Sequence, residues 1–368
     1  MSDKPIYLSP PNVGEEEKRL LSEAIDSGWV APVGPQLDLF EKELERRLAG
    51  KKVLAVNSGT SALHLALNLA EIGRGDDVLV GTFTFAACAN VVLYQNATPV
   101  FIDSESGTWN LDPDLLRSYL SSNQKKPKAI IVTHLYGVPA RIKEIRSICD
   151  EYELILIEDA AEALGAKFEN GPVGTFGDFG VISFNGNKLI TTSGGGALIS
   201  SEVNYERGLH LATQANADQF GYDHDKVGYN YRLSNMLASV GLAQLEKMEY
   251  FMNRKREIFN YYQSNLPSIF TFSAEPEHSF CNRWLTTPLV EDENLNPLEL
   301  IEFLSEKKIQ SRPLWKPLHL NKAYKDFLFV GSGVAEGLFR RGICLPSGTA
   351  LSEADLSYIV KQINFFLS

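Results

Sequence analysis

Between residues 53 and 161 short apolar runs alternate with longer segments whose apolar positions recur at helical spacing. VLAVNS (53–58), DVLVG (77–81), PVFID (99–103), AIIVTHLYG (129–137) and LILIEDAA (154–161) read as strands. SALHLALNLAEIG (61–73), FAACANVVLYQN (85–96), DPDLLRSYL (112–120) and the segment around IKEIRSICDEY (142–152) read as helices. Gly73 closes the first of these, and Asp112 with Pro113 suits the start of the third. AIIV and LILI are apolar on both faces, as strands of a parallel sheet covered by helices must be. The alternation predicts an α/β domain with a mainly parallel sheet flanked by helices. Ligands in such sheets sit beyond the carboxyl ends of the strands. The polar residues placed there are Asn57 and Ser58, Asp103, Thr133 and His134, Glu158 and Asp159, and Ser183.

The flanks read differently. The first fifty residues mix turn signals, Pro10-Pro11 and Gly34-Pro35, with a charged helix over roughly 37–48. After about residue 245 a Lys-, Arg- and Glu-rich helix leads into shorter elements: WLTTPLV (284–290), NPLELIEFLSEKK (296–308), SRPLWKPLH (311–319), GICLPSG (342–348) and a last helix from near Ser352. The expected division is a large domain over 1–244, carrying an N-terminal arm, and a smaller C-terminal α/β domain over 245–368. A chain of 368 residues accommodates both.

Charge and cysteine content narrow the function. A formal net charge of -11 argues against nucleic acid as the main partner, though not against an anionic small ligand. Cys88, Cys149, Cys281 and Cys344 form no CxxC pair, so no metal site or disulfide framework is expected. MSDKPIYLSPP has no basic-then-apolar leader pattern, and the apolar runs fall short of a membrane span. The expected location is cytoplasmic.

Three stretches then combine. In VNSGTSALHLAL a strand passes through small residues, among them Gly59, Thr60 and Ser61, into a helix start, where free N–H groups and the helix dipole suit phosphate. Alone, this is an ordinary cap by Ser58 or Thr60. No GxGxxG or GxxxxGK[ST] accompanies it. In LILIEDAAEALG, Glu158 and Asp159 end a buried strand on opposite faces, so one of them faces a ligand. In SFNGNKLITTSGGGALIS a single cation, Lys188, stands among small and polar residues. Separately, the acids suit salt bridges and the lysine suits solvent. Together, a phosphate cup, a carboxylate and a lysine that serves as a neutral amine are what pyridoxal phosphate (PLP) requires. Phe83 and Phe85 are the aromatic candidates to stack on its ring, although core packing is the commoner role of phenylalanine. Gly194 to Gly196 would let backbone pass close to cofactor or partner chain.

In order, NSGTSALHLAL, TFTFAACANVVLYQNATPVFID, THLYG, IEDAAEALG, GTFGDFGVISFNGNKLITTSGGGALI, YNYRLSN, RPLWKPLH and GICLPSG resemble the sugar aminotransferases of the DegT/DnrJ/EryC1/StrS family over almost the whole chain. SFNGNK with TTSGGG, THLYG and RPLWKPLH point within it to the branch making the 4-amino precursor of UDP-N,N'-diacetylbacillosamine. The resemblance implies a fold-type I, PLP-dependent aminotransferase working as a homodimer, with L-glutamate as donor and a UDP-linked 4-keto-6-deoxy-N-acetyl sugar as acceptor. It makes Lys188 the Schiff-base lysine and Asp159 the partner of the pyridine nitrogen. Gly59, Thr60, Ser61 and Ser183 hold the phosphate, and Phe85 stacks on the ring. Asn230 reaches the cofactor of the neighbouring subunit, while Arg232 and His319 lie near the nucleotide-sugar. Glu162 departs from the His or Gln of more distant relatives near the cofactor hydroxyl. Relatives that dehydrate at carbon 3 carry His in place of the lysine, so Lys188 favours transamination. The alternatives are a GDP- or dTDP-linked ketosugar acceptor, or a PLP-binding regulator without turnover.

Overall fold

A computed structural model describes residues 4–218 and 221–368. Eight strands form one sheet, in the order Lys52–Val56, Gly196–Ser200, Phe179–Ser183, Ile155–Asp159, Ala129–Thr133, Asp77–Gly81, Thr98–Ile102 and Phe329–Val330. All but one run the same way; Gly196–Ser200 is antiparallel to both neighbours. The carboxyl ends of Lys52–Val56, Ile155–Asp159 and Phe179–Ser183 therefore meet the amino end of Gly196–Ser200 along one edge.

Alternation sorts the side chains into two faces. Leu54, Val56, Val78, Val80 and Ile131 pack with the helices Gly59–Leu69 and Ala87–Tyr94. Leu79, Ile130 and Val132 pack on the other face with Pro113–Ser122 and Ile142–Tyr152, and Val53 and Ala55 pack there with Pro35–Arg47. Each such side chain taken fully from water contributes about 1.5–3 kcal/mol, so apolar-on-both-faces strands hold the two helical layers together. Asp112 caps Pro113–Ser122 as expected, accepting from Asp114 N–H at 2.8 Å.

The helix Glu15–Asp26 is absent from the sequence reading. Its first turn is acidic, and Glu17 caps it by accepting from Gly14 N–H at 2.7 Å. Packing against Asn235–Glu246 stabilises it, a tertiary contact that local pattern does not report.

C-terminal elements build a second core around Ile258, Tyr262, Leu300, Leu304, Ile343 and Ile359. The division at 244/245 is crossed in both directions. The strand Phe329–Val330 extends the large sheet beside Thr98–Ile102, and Leu318 and Tyr324 join that sheet's core. Conversely, Ile6 pairs with Ile309 and Ser347 N–H donates to the Leu8 carbonyl, so the N-terminal arm lies on the C-terminal part. Asp103, one of the strand-end acids, is the fastener here. Its carboxylate accepts from the N–H groups of Ser332, Gly333, Val334 and Ala335 at 2.7–3.1 Å, capping the helix Val334–Arg341.

Candidate active site

A cleft of about 290 Å³ opens where those strand ends converge. At one end the helix Gly59–Leu69 begins, with Ser58 extended as its N-cap. The first intrahelical bond runs from Ala62 N–H to the Ser58 carbonyl, which leaves the amides of Gly59 and Thr60 without intrahelical partners, and both residues line the cleft. Ser183 stands beside them: a Cβ on Gly59 would lie 3.2 Å from the Ser183 Cβ. The turn is pressed from behind by Gly196, where a Cβ would overlap the Gly59 nitrogen and the Ser58 carbonyl. The close approach expected of the glycine run is thus, at Gly196, to the Ser58–Gly59 turn, while Gly194 and Gly195 line the cleft.

Asp159, 5% exposed, lines the cleft as well. Its Oδ1 accepts from Ala161 N–H at 3.1 Å and its Oδ2 from the Cys88 thiol at 3.0 Å. Glu158 on the opposite face is structural, accepting from Gly174 N–H at 2.8 Å and from His134 Nε2–H at 3.0 Å. His134 Nδ1 accepts from Ala140 N–H at 3.1 Å, so its one ring proton sits on Nε2.

Lys188 lines the same cleft, its Nζ 4.0 Å from the centre of the Trp284 ring and 3.7 Å from Glu162 Oε1. The loop that carries it is tied on both sides. Phe184 N–H donates to the Gly195 carbonyl at 2.9 Å and Thr192 N–H to the Phe184 carbonyl at 3.0 Å. The Asn187 carbonyl accepts from Trp284 Nε1–H at 2.7 Å and from the Ser9 hydroxyl at 3.2 Å. Trp284 is itself fixed from behind. Its carbonyl accepts from the fully buried Lys255 ammonium at 2.9 Å, which also donates to the Ser347 carbonyl at 2.9 Å. With only neutral acceptors around it, burial pulls Lys255 down to about 7.

Glu162 is the second acid of the cleft. Burial raises its carboxyl above the usual range, and this outweighs the opposing pull of Lys188 and of the Tyr136 N–H, which it accepts at 2.7 Å. Trp315 Nε1–H donates to its other oxygen at 3.2 Å. Tyr136 holds φ at 53°, a left-handed position that costs a side-chain-bearing residue about 1 kcal/mol.

The structure brings Lys188, Asp159, Gly59, Thr60, Phe85, Glu162 and Ser183 together around this one cleft. Phe85 is 53% exposed, with its ring 5.4 Å from that of Trp315, whereas Phe83 packs in the core. Ser61 is placed differently from the expectation: its N–H is taken by the Ser58 hydroxyl at 3.0 Å, and its own hydroxyl donates to Asn57 at 2.6 Å. Asn230 is exposed and outside the cleft of this chain, its carbonyl accepting from Asn57 Nδ2 at 3.2 Å. Arg232 and His319, expected near a nucleotide-sugar, are not brought to the cleft. Arg232 is buried against Glu41 and the Ala55 carbonyl, because a carboxylate buried under the first strand needs a cation. His319 has both ring nitrogens engaged, by Thr82 at 2.7 Å and Glu336 at 3.2 Å, and stacks on Phe329. Trp284, Trp315, Tyr136 and Cys88 escaped the sequence reading. The signal for the tryptophans was their place at the head of WLTTPLV and within RPLWKPLH.

An open helix N-terminus, a buried carboxylate, a lysine and an exposed aromatic ring around one cleft fit pyridoxal phosphate. Among the described residues no cluster suited to a metal ion occurs, and no helix is long and apolar enough to cross a membrane. A wider concavity of about 710 Å³ adjoins the cleft, sharing Asn187, Trp284 and Trp315.

Residues 11–364 match the DegT/DnrJ/EryC1/StrS aminotransferase family. The chain is 46% identical to EpsN of Bacillus subtilis, by name a predicted pyridoxal phosphate-dependent aminotransferase, over 98% of this chain and 95% of that protein. It is 37% identical to the GDP-perosamine synthase of Escherichia coli O157:H7, over 99% of this chain and 98% of that one. A solved structure of the PLP form of Spr1654 from Streptococcus pneumoniae, by title a predicted sugar aminotransferase, superposes with a TM-score of 0.91 at 27% identity, covering 98% of both chains.

Proposed function

This chain belongs to the DegT/DnrJ/EryC1/StrS aminotransferase family and is a PLP-dependent sugar aminotransferase; from that premise we propose that it moves an amino group from L-glutamate to carbon 4 of a nucleotide-linked 4-keto-6-deoxy hexose. The observation that carries the reading is the gathering of Lys188, Asp159 and the Gly59–Thr60 turn around one cleft. GDP is the nucleotide supported by similarity to the perosamine synthases. This replaces the UDP-linked N-acetyl sugar as the first acceptor to test. The latter stays a second reading on the blocks SFNGNK and TTSGGG. The wide adjoining concavity suits an acceptor larger than a free sugar.

Pyridoxal phosphate, when bound, supplies an aldehyde that takes up the amine and a ring that draws electrons from the carbon losing its proton. Lys188 would hold the aldehyde and Asp159 the ring nitrogen. The Gly59 and Thr60 amides with the Ser183 hydroxyl would hold the phosphate, and Phe85 would cover a ring face. Lys188 Nζ, once free as a neutral amine, would take up and pass on the proton that the donor's α-carbon gives up. Trp284, 1% exposed, walls that amine from solvent and fixes its approach. The same residues run in reverse on the ketosugar, so donor and acceptor are processed in turn and ping-pong kinetics are expected.

The chain works as a homodimer in this proposal. Asn230 is free to reach a second subunit, and Trp29, Val30 and Val33 are 45–59% exposed. Sedimentation velocity tests it; a monomer that binds cofactor fully would remove Asn230's role. Buried free thiols at all four cysteines suit a reducing, cytoplasmic setting.

The decisive experiment follows the visible absorbance of the PLP-loaded protein. L-Glutamate should bleach it, and GDP-, UDP- or dTDP-linked 4-ketosugar should restore it, each tried separately. Recovery with the UDP sugar alone would overturn the GDP assignment, and no bleaching by glutamate would overturn the reaction. Lys188→Ala should lower turnover by about 10²–10⁴-fold.

A further inference from the structure

We propose that Cys88 is a positioning residue, whose thiol hydrogen fixes the Asp159 carboxylate and sets how much of its charge is left for the cofactor's ring nitrogen. The inference rests on the assignment of Asp159 to that nitrogen and goes beyond it. Cys88 lies in the first turn of the helix Ala87–Tyr94, fully buried, and does not line the cleft itself. Its Sγ is 3.0 Å from Asp159 Oδ2. On the far side the hydroxyls of Thr84 and Thr133 lie 3.7 and 3.9 Å from the sulfur, and 2.8 Å from each other. Sulfur accepts weakly from these hydroxyls, which leaves its one hydrogen directed at the carboxylate.

The chemistry follows from the weakness of the donor. Among the described residues two donors reach the Asp159 carboxylate, the Ala161 amide on Oδ1 and this thiol on Oδ2. Two strong donors would disperse the carboxylate's charge and lower its pull on a protonated ring. A thiol holds the oxygen in place yet disperses little. Burial first, and then the neighbouring Asp159 charge, push the Cys88 thiol well up, so it keeps the hydrogen this role needs.

The test uses full-length Cys88→Ser, Cys88→Ala and Cys88→Val proteins. In the cofactor-free protein, infrared difference spectra against Cys88→Ser isolate the S–H band of Cys88, which should move to higher frequency in Asp159→Asn. In the PLP-loaded protein, the pH midpoint of the cofactor's absorbance change is read together with kcat. Cys88→Ser brings a stronger donor and should move the midpoint the opposite way from the variants that lack one. Cys88→Ala and Cys88→Val lack one, and should shift the midpoint by about half a unit or more and lower kcat about three- to tenfold. If Cys88→Val matches the parent while Cys88→Ser does not, the residue only fills space and the proposal fails. An S–H band indifferent to Asp159→Asn overturns the hydrogen bond itself. A shifted band with an unchanged cofactor spectrum in Asp159→Asn overturns instead the assignment of Asp159 to the ring, and with it the influence of Cys88 on chemistry.

Discussion

Glu162 and Trp284 compete for the Lys188 ammonium, one by charge and one by its ring face. Because burial raises Glu162 above its unfolded value, the native state holds the extra proton between the two. Stability therefore falls as pH climbs through that window and is level above it. Glu162→Gln keeps an acceptor for the Tyr136 N–H and cannot ionise. Thermal melts of the cofactor-free protein should show the variant gaining on the parent across the window and holding the gain at higher pH. A constant difference between the two would mean Glu162 is ionised throughout.

At the scale of elements, two contacts decide whether the cleft keeps its shape. Gly196 opens the reversed strand directly behind the phosphate turn, and backbone atoms there leave no room for a methyl group. Gly196→Ala should cost about 1–3 kcal/mol of stability in urea unfolding and weaken PLP binding at least tenfold. Lys255 ties the helix Met248–Asn265 to Trp284 and Ser347. Its native value near 7 lies below that of an unfolded lysine, so the unfolded chain binds the extra proton above pH 7. The contribution to stability thus rises from pH 7 toward 10, by at most about 1.4 kcal/mol per pH unit. Lys255→Met should remove that slope between pH 7 and 9, as read by chemical unfolding at each pH. The elements around the cleft were legible because their signals are local: AIIV and LILI need two covered faces, and Asp112-Pro113 starts a helix unaided. Glu15–Asp26 was not, since its stability comes from the distant Asn235–Glu246. The same distinction separates Asp159, which ends its own strand, from Arg232 and His319. Those side chains are claimed by Glu41 and by Thr82 with Glu336, far away in sequence.

Over the whole molecule, the N-terminal arm and the segment 318–335 lace the two cores together, and Asp103 is the tightest knot. Asp103→Ala leaves four helix-start N–H groups unmet and should lower unfolding free energy by about 2 kcal/mol in calorimetry, with little effect on the cofactor spectrum. The reversed strand has a wider reach. Lys52 pairs with Ser200 and Val56 with Gly196, so the turn proposed to receive the phosphate stays at a raw sheet edge until chain far downstream arrives. On a translating ribosome most of the sheet would emerge and begin to pair while its first strand waits, and a nascent chain halted before Gly196 would own a cofactor cup with no back wall.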